Sequence, residues 1–172
     1  VAGKSALIMG FGRIGQRVGA LCRALGLRVA AFDPYMERSP VEGVEMVKDF
    51  RAILPETDFL CLHLPSTPET RDLIGAGELA LLKRGAFVLN CARGGIVDED
   101  VLCDALESGH LGGAGLDVFA KEPPDTAHRL FRQEKVLLSP HNAALTEECA
   151  IRMATQAVQN VLDCLDGKLQ PR

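Results

Sequence analysis

Short runs of aliphatic residues recur along the chain, and amphipathic stretches separate them. Runs of this length, bounded by turn-forming residues, are typical of strands that are buried on both faces of a parallel sheet. The pattern predicts strands at residues 5–9, 28–32, 58–63, 86–91, 113–118 and 135–139.

Helices are predicted between these strands from the spacing of apolar and charged residues. Directly after the first strand, apolar residues recur at the interval of one helical face, at Ile14, Val18, Leu21, Cys22 and Leu25. Residues 98–108 open with acidic side chains, which favour a helix N-terminus, and a glycine follows them. The last and longest helix is predicted at residues 145–165.

Strand and helix alternate over the whole length of the chain. Parallel strands joined by right-handed crossovers place their helices on both faces of one sheet. The pattern therefore predicts an α/β fold with a doubly wound parallel sheet, of the Rossmann dinucleotide-binding type.

Composition narrows the class of protein. A chain of 172 residues with 47% hydrophobic and 24% charged residues is typical of one globular domain. The formal net charge is -4, and basic residues are interspersed with acidic ones, so we expect no nucleic-acid partner. The apolar runs are far shorter than the roughly 20 residues that cross a bilayer, so we expect no membrane partner either.

The cysteines indicate a reducing compartment. The chain has six, and none of them forms a Cys-x-x-Cys pair. Most lie inside apolar segments, as buried thiols do. We therefore expect buried thiols, a cytoplasmic protein and no metal site.

A glycine motif links the first strand to the first helix. Gly10, Gly12 and Gly15 follow the G-x-G-x-x-G spacing in this context. The first glycine permits a tight turn, the second lets a pyrophosphate approach the backbone, and the third lets helix and strand pack closely. The helix N-terminus adds unpaired N–H groups and a positive dipole. Together these features predict a dinucleotide site.

An acidic residue at the end of the second strand favours NAD over NADP. Asp33 lies where a carboxylate can accept hydrogen bonds from the ribose hydroxyls of the adenosine half. The same carboxylate would repel a 2'-phosphate, and the nearest cation in the sequence, Arg38, is five residues further on. Up to this point a methyltransferase with a glycine loop remains an alternative.

Three later segments resemble the D-2-hydroxyacid dehydrogenase family. They are N-C-A-R-G-G at residues 90–95, G-L-D-V-F at residues 115–119 leading to Glu122-Pro123, and S-P-H-N at residues 139–142. The resemblance covers essentially the whole chain, and it implies an NAD-dependent oxidoreductase. Such an enzyme transfers a hydride between nicotinamide and a small D-2-hydroxy acid or 2-keto acid.

The resemblance implies a catalytic set of Arg93, Glu122 and His141. Reduction of a 2-keto acid needs a proton donor that titrates near neutrality beside the carbonyl oxygen, which suits His141. A carboxylate on the other ring nitrogen, Glu122, would orient the imidazole and stabilise its charged form. The planar fork of Arg93 suits the substrate carboxylate. Taken singly, each of these residues could equally be an ordinary loop residue.

Further cofactor contacts are implied by the same resemblance. Asp117 matches the residue that contacts the nicotinamide carboxamide. The remaining implied contacts are Arg13 and Ile14 at the pyrophosphate, Pro65 and Thr70 near the adenosine side, and Cys91 and Ala92 near the nicotinamide ribose.

The family also implies a second, substrate-binding domain. We expect residues 1–172 to form the dinucleotide-binding domain, the last helix to contact the substrate domain, and most of that domain to be missing here. The full-length parent is expected to be a homodimer. Glyoxylate, hydroxypyruvate and 3-phosphoglycerate types of substrate all remain open. An NAD(H)-sensing interaction protein is an alternative, because corepressors resembling this family keep its catalytic residues.

Overall fold

The computed structural model of the chain describes residues 1–168. Its centre is a seven-stranded parallel sheet with the strand order β3-β2-β1-β4-β5-β6-β7. The strands are β1 (Ser5–Met9), β2 (Arg28–Phe32), β3 (Val44–Met46), β4 (Phe59–Leu62), β5 (Phe87–Asn90), β6 (Gly113–Leu116) and β7 (Val136–Leu138). This confirms the doubly wound parallel sheet and the six predicted strands, and adds β3.

The described part of the chain contains four α-helices. They are α1 (Arg13–Ala24), α2 (Ala76–Leu81), α3 (Glu99–Glu107) and α4 (Glu147–Leu165). The helix α2 was not predicted from the sequence, whereas α1, α3 and α4 were. The start of α3 follows from Asp98, whose Oδ1 accepts hydrogen bonds from the backbone N–H groups of Asp100 and Val101.

Side chains alternate along β1, β2 and β4 and supply cores on both faces of the sheet. On β1, Leu7 joins a large core that includes residues of α2 and α3. The next residue, Ile8, joins a smaller core with Phe11, against which Val18 of α1 packs. The helices therefore cover opposite faces, as the doubly wound arrangement requires.

The chain divides into two compact units. The first runs from Val1 to His141 and holds the whole sheet, and the second begins at Asn142 and holds α4. The sequence predicted a single domain over residues 1–172; its last four residues lie outside the described part. In the second unit, Thr146 Oγ1 accepts a hydrogen bond from Cys149 N, which fixes the start of α4.

The edge of the sheet at the amino ends of its strands is held by one carboxylate. Asp58 Oδ2 accepts a hydrogen bond from Ser5 N at 3.0 Å, and Oδ1 accepts one from Lys83 Nζ at 2.8 Å. Burial alone would raise the pKa of Asp58, but the hydrogen bonds from Lys83, Ser5 and Lys4 hold that pKa well below its usual range.

We expect this carboxylate to make stability depend on pH. Because its pKa is lower in the folded chain than the value of about 3.9 in an unfolded one, its contribution is present above about pH 4 and is lost as the pH falls further. Asp58→Asn should lower the urea midpoint at pH 7, and the difference from wild type should shrink at about pH 3. Glu42→Gln, which removes an exposed carboxylate, serves as the control. An equal deficit at both pH values would contradict the expectation.

Candidate functional site

The predicted site residues follow the carboxyl ends of neighbouring strands. Gly10 follows β1, Asp33 follows β2, and Asp117 follows β6. Cys91 comes directly after β5 and leads into the turn that carries Arg93. Because all seven strands are parallel, these ends meet at one edge of the sheet, where ligands of open α/β sheets bind.

The glycine motif depends on close approaches between backbone segments. Gly10 has a φ of +87°, and a Cβ atom there would lie 2.5 Å from the carbonyl oxygen of His63. A Cβ atom at Gly15 would lie 2.1 Å from the carbonyl oxygen of Gly10. At Gly12, a Cβ atom would meet no atom of the described chain within 4 Å. The space in front of the first turn of α1 is thus open, which suits a phosphate.

Asp33 ties the end of β2 to the glycine loop. Its Oδ2 accepts a hydrogen bond from Phe11 N at 2.8 Å, and its Oδ1 accepts one from Tyr35 N at 3.0 Å. A carboxylate oxygen can accept more than one hydrogen bond, so ribose hydroxyls can still be bound. Arg38 and Lys48 line the same cavity of about 400 Å³ as Asp33. The sequence identified Arg38 as the nearest cation but not Lys48, which follows β3.

The turn that carries Arg93 is shaped by a buried asparagine. Asn90 Oδ1 accepts a hydrogen bond from Ala92 N at 3.1 Å, and Asn90 Nδ2 donates one to Arg93 O at 3.0 Å. The guanidinium of Arg93 is exposed and donates to Ala92 O at 2.6 Å. The sequence motif contained Asn90 but assigned it no task. An amide at the end of a buried strand is the signal that could have identified it.

A hydrogen bond joins the predicted acid/base pair. His141 Nδ1 lies 2.8 Å from Glu122 Oε2, and Glu122 Oε1 accepts a hydrogen bond from Phe119 N at 3.0 Å. The hydrogen bond with His141, followed by that from Phe119, holds the pKa of Glu122 below its usual range. His141 has a φ of +55°, which costs a residue with a side chain about 1 kcal/mol or more. The carboxylate is thus ionised at neutral pH and correctly placed to hold the imidazole.

Five of the predicted residues, Arg93 among them, lie around one cavity of about 450 Å³. They are Ile14, Pro65, Cys91, Ala92 and Arg93. Thr70 stands behind Pro65, because its Oγ1 donates to Pro65 O at 2.7 Å and accepts from Thr67 N at 2.8 Å. Arg13 is exposed at the first position of α1. The side chain of Asp117 accepts a hydrogen bond from Ser139, another residue to which the sequence assigned no task.

The expectation of buried thiols is wrong for several cysteines. Only Cys61 and Cys103 are buried, whereas Cys91 and Cys164 are exposed. Cys91 follows β5 directly, and the alternation of side chains turns Asn90 inward and its neighbour Cys91 outward. The remaining burial of the thiol and the charge of Asp117 raise the pKa of Cys91, so the thiol stays protonated at neutral pH. This agrees with the view that Cys91 is not a nucleophile.

Metal-binding clusters and membrane-spanning helices are both absent from the described residues. Within residues 1–168, no group of three or more His, Cys, Asp and Glu side chains is arranged to hold a metal ion. Among the helices of the same range, none has the length and apolar character needed to span a membrane.

Comparison with known proteins defines the class. The family model "D-isomer specific 2-hydroxyacid dehydrogenase, NAD binding domain" matches residues 1–143. The chain belongs to this family, and residues 1–143 are its NAD-binding domain. The match rules out the methyltransferase alternative. It also supports the resemblance inferred from the three sequence segments.

Individual relatives agree with this assignment. D-3-phosphoglycerate dehydrogenase of Mycobacterium leprae is 43% identical over 173 residues, which cover 99% of this chain and 32% of that protein. A glyoxylate reductase from Paecilomyes thermophila superposes with a TM-score of 0.90 at 33% identity, over 98% of this chain and 52% of its own. D-lactate dehydrogenase with NAD+ from Lactobacillus jensenii superposes with a TM-score of 0.87 at 29% identity, over 96% of this chain and 54% of its own.

These relatives are longer than the chain. The chain spans about a third of the curated relatives it matches and about half of the solved structures. All three of these relatives carry the names of enzymes.

The contact between the Arg93 turn and the Glu122 loop can be tested at one glycine. A Cβ atom at Gly94 would lie 1.7 Å from Phe119 O, which is backbone and cannot move aside alone. We expect Gly94→Ala to lower the free energy of unfolding by about 1–3 kcal/mol or more.

Gly77→Ala is the matched control. It lies in α2 with no described atom within 4 Å of the added Cβ, and should raise the free energy of unfolding by about 0.5–1 kcal/mol. Urea unfolding measures both, and a fully stable Gly94→Ala would disprove the close contact.

Proposed function

We propose that the chain is the cofactor domain of an NAD-dependent dehydrogenase, which transfers a hydride between nicotinamide and C2 of a small D-2-hydroxy acid or 2-keto acid. The observation that carries the proposal is the 2.8 Å hydrogen bond between Glu122 and His141. It places an oriented imidazole at the same edge of the sheet as the dinucleotide-binding loop. Family membership supports the same reaction class.

The chain's own residues fit the cofactor. The open space in front of Gly12 and the N-terminus of α1 suit the pyrophosphate, and Asp33 suits the adenosine ribose. We keep the remaining contacts as the resemblance implies them. Arg13 and Ile14 contact the pyrophosphate, Pro65 and Thr70 lie near the adenosine side, and Cys91, Ala92 and Asp117 contact the nicotinamide half. When bound, NADH supplies the hydride.

His141 supplies the proton in our mechanism. Its Nδ1 is engaged by Glu122, so Nε2 is the nitrogen that faces the substrate. As hydride reaches C2, the imidazolium donates its Nε2 proton to the carbonyl oxygen, and a hydroxy acid and a neutral imidazole result. In the reverse direction the neutral imidazole accepts the proton of the hydroxyl group. The Glu122 carboxylate stabilises the imidazolium and fixes its orientation.

Arg93 binds the substrate carboxylate in this mechanism. Its guanidinium is exposed and offers paired N–H groups in one plane, which suits a carboxylate. The one donor that contacts Ala92 O can remain there while the others bind substrate. The turn that Asn90 stabilises sets the position of this side chain.

Among the substrates that the sequence left open, we propose a 3-phosphoglycerate type first. The curated relatives at 38–43% identity carry the name D-3-phosphoglycerate dehydrogenase. The glyoxylate reductase and D-lactate dehydrogenase structures are less similar in sequence, at 33% and 29%. A panel of 2-keto acids, including phosphohydroxypyruvate, glyoxylate, hydroxypyruvate and pyruvate, tests this ranking by comparison of kcat/KM.

We propose that the full-length protein is a cytoplasmic homodimer, and that α4 contacts its substrate domain. Exposed apolar side chains support both proposed contacts, the one between two subunits and the one between α4 and the substrate domain. In the first unit Leu137 of β7 is 81% exposed, beside Leu89 and Phe87 on the same sheet face. In the second unit α4 exposes Val158, Leu165 and other apolar residues. Analytical ultracentrifugation of the full-length protein tests the dimer.

We expect the chain to bind NADH at least about tenfold more tightly than NADPH, since Asp33 would face the 2'-phosphate with like charge. Asp33→Ala should narrow this gap, because it removes both the ribose acceptor and the repulsion. Isothermal titration calorimetry with both cofactors measures the ratio.

Glu37→Gln is the control, because Glu37 lines the same cavity and carries the same charge. A similar change in the ratio would assign the selectivity to net charge. Tighter binding of NADPH by the wild-type chain would contradict the NAD assignment.

We expect His141→Ala to lower kcat of the full-length enzyme by about 10²- to 10⁴-fold through loss of proton transfer, with little change in the Kd of NADH. Glu122→Gln should move the pH optimum of keto-acid reduction to lower pH, because the imidazolium loses its anionic partner. Steady-state kinetics across pH measure both effects.

His128→Ala is the matched control. That histidine caps the short helix Arg129–Arg132 through its Nδ1 and lies outside the proposed site. Near wild-type turnover by His141→Ala would refute the proton donor, whereas an unchanged pH profile in Glu122→Gln would refute its role as the partner.

A further inference from the structure

One hydroxyl group lies at the base of the two loops that carry the acid/base pair. Asp117 comes directly after β6 and is 2% exposed, and Ser139 comes directly after β7. Ser139 Oγ lies 2.5 Å from Asp117 Oδ1. The backbone continues the connection, since Ser139 N donates to Leu116 O and Asp117 N donates to Asn90 O, each at 3.0 Å.

The direction and strength of this hydrogen bond follow from its chemistry. An ionised carboxylate only accepts, so the serine hydroxyl is the donor. A hydrogen bond from a hydroxyl group to a carboxylate is stronger than one between neutral groups. Because a buried charge needs such donors, the bond holds the Asp117 side chain in one rotamer.

Each of the two partners is close in sequence to one member of the acid/base pair. Along one loop, Asp117 leads to Phe119, whose N–H holds Glu122. Along the other, Ser139 leads through Pro140 to His141. The loops thus diverge from the Ser139–Asp117 bond and meet again at the Glu122–His141 bond. The bond between Ser139 and Asp117 closes this ring at one end, and the bond between Glu122 and His141 closes it at the other.

We propose that Ser139 is a positioning residue for the nicotinamide half of the cofactor, acting through Asp117. Its hydroxyl fixes the carboxylate that meets the carboxamide group. This inference rests on the proposed function, in which Asp117 contacts nicotinamide. If Ser139 only joined β6 to β7, its loss would affect every ligand of the domain alike. A positioning role instead affects only ligands that contain nicotinamide.

The test compares NADH with ADP-ribose, which shares the adenosine and pyrophosphate groups but lacks nicotinamide. By calorimetry on the whole chain, Ser139→Ala should raise the Kd of NADH about tenfold and that of ADP-ribose less than about twofold. The first change is that expected for loss of a hydrogen bond to a charged group. Ser139→Thr keeps the hydroxyl and should bind NADH within about threefold of wild type. Ser108→Ala removes a serine hydroxyl group at the C-terminal end of α3 and should change the Kd of neither ligand.

The outcomes separate this inference from the proposed function. Equal weakening of both ligands, or no weakening, in Ser139→Ala would overturn the positioning role while leaving the proposed function intact. A wild-type chain that binds neither ligand would overturn the proposed function and this inference with it. Should Ser139→Ala fail to fold, Ser139→Cys, which keeps the shape of the side chain but replaces the hydroxyl group by a weak donor, takes its place and must show the same loss of NADH binding with ADP-ribose binding retained.

Discussion

The site depends on backbone segments that approach each other more closely than any side chain permits. Gly10 lies against the carbonyl of His63, and Gly94 lies against that of Phe119. In both places an added Cβ atom would fall well within van der Waals contact of main-chain atoms, which cannot rotate away as a side chain can. The first contact joins the dinucleotide loop to β4. The second joins the Arg93 turn, which follows β5, to the loop that follows β6 and leads to Glu122. It therefore fixes the ends of these two strands relative to each other.

Carboxylates also stabilise the loops of the site, because they accept hydrogen bonds from loop residues. Asp33 accepts from the backbone N–H of Phe11, Glu122 accepts from that of Phe119, and Asp117 accepts from the Ser139 hydroxyl. Each acid that we assign to a ligand or to catalysis therefore also fixes a loop. Such dual use keeps a site in its working geometry before the ligand arrives, which reduces the ordering cost of binding. It also means that replacing one of these acids changes both the loop and the chemistry, so measurements must separate the two.

The sequence was sufficient for elements with a continuous or long apolar pattern and insufficient for the others. Continuous apolar runs predicted six strands, including the three-residue β7. The equally short Val44–Met46 is interrupted by Glu45, and Ala76–Leu81 is a helix of six residues, too few for a periodicity to emerge. At the site, motif positions after strands predicted which side chains share an edge. The resemblance implied the pair of Glu122 and His141, which are hydrogen-bonded. The contact of Ser139 with Asp117 could not be predicted, since it depends on the register of β6 and β7. The outward direction of Cys91 was missed for a similar reason, because one residue decides which side chain faces inward.

The order of the strands explains why one edge can hold both a dinucleotide and an acid/base pair. From β1 the chain moves outward to β2 and β3, then returns to place β4 on the other side of β1. The loops after β1 and β4 therefore lead away in opposite directions and leave a crevice between them. Asp33 lies on the β2 side of this crevice, and the loops with Arg93 and His141 lie on the β5 to β7 side. In the function we propose, a dinucleotide bound across Gly10–Gly15 has its adenosine on the first side and its nicotinamide on the second, near His141, the proposed proton donor. On that proposal, the reversal in strand order determines which end of the cofactor meets the substrate.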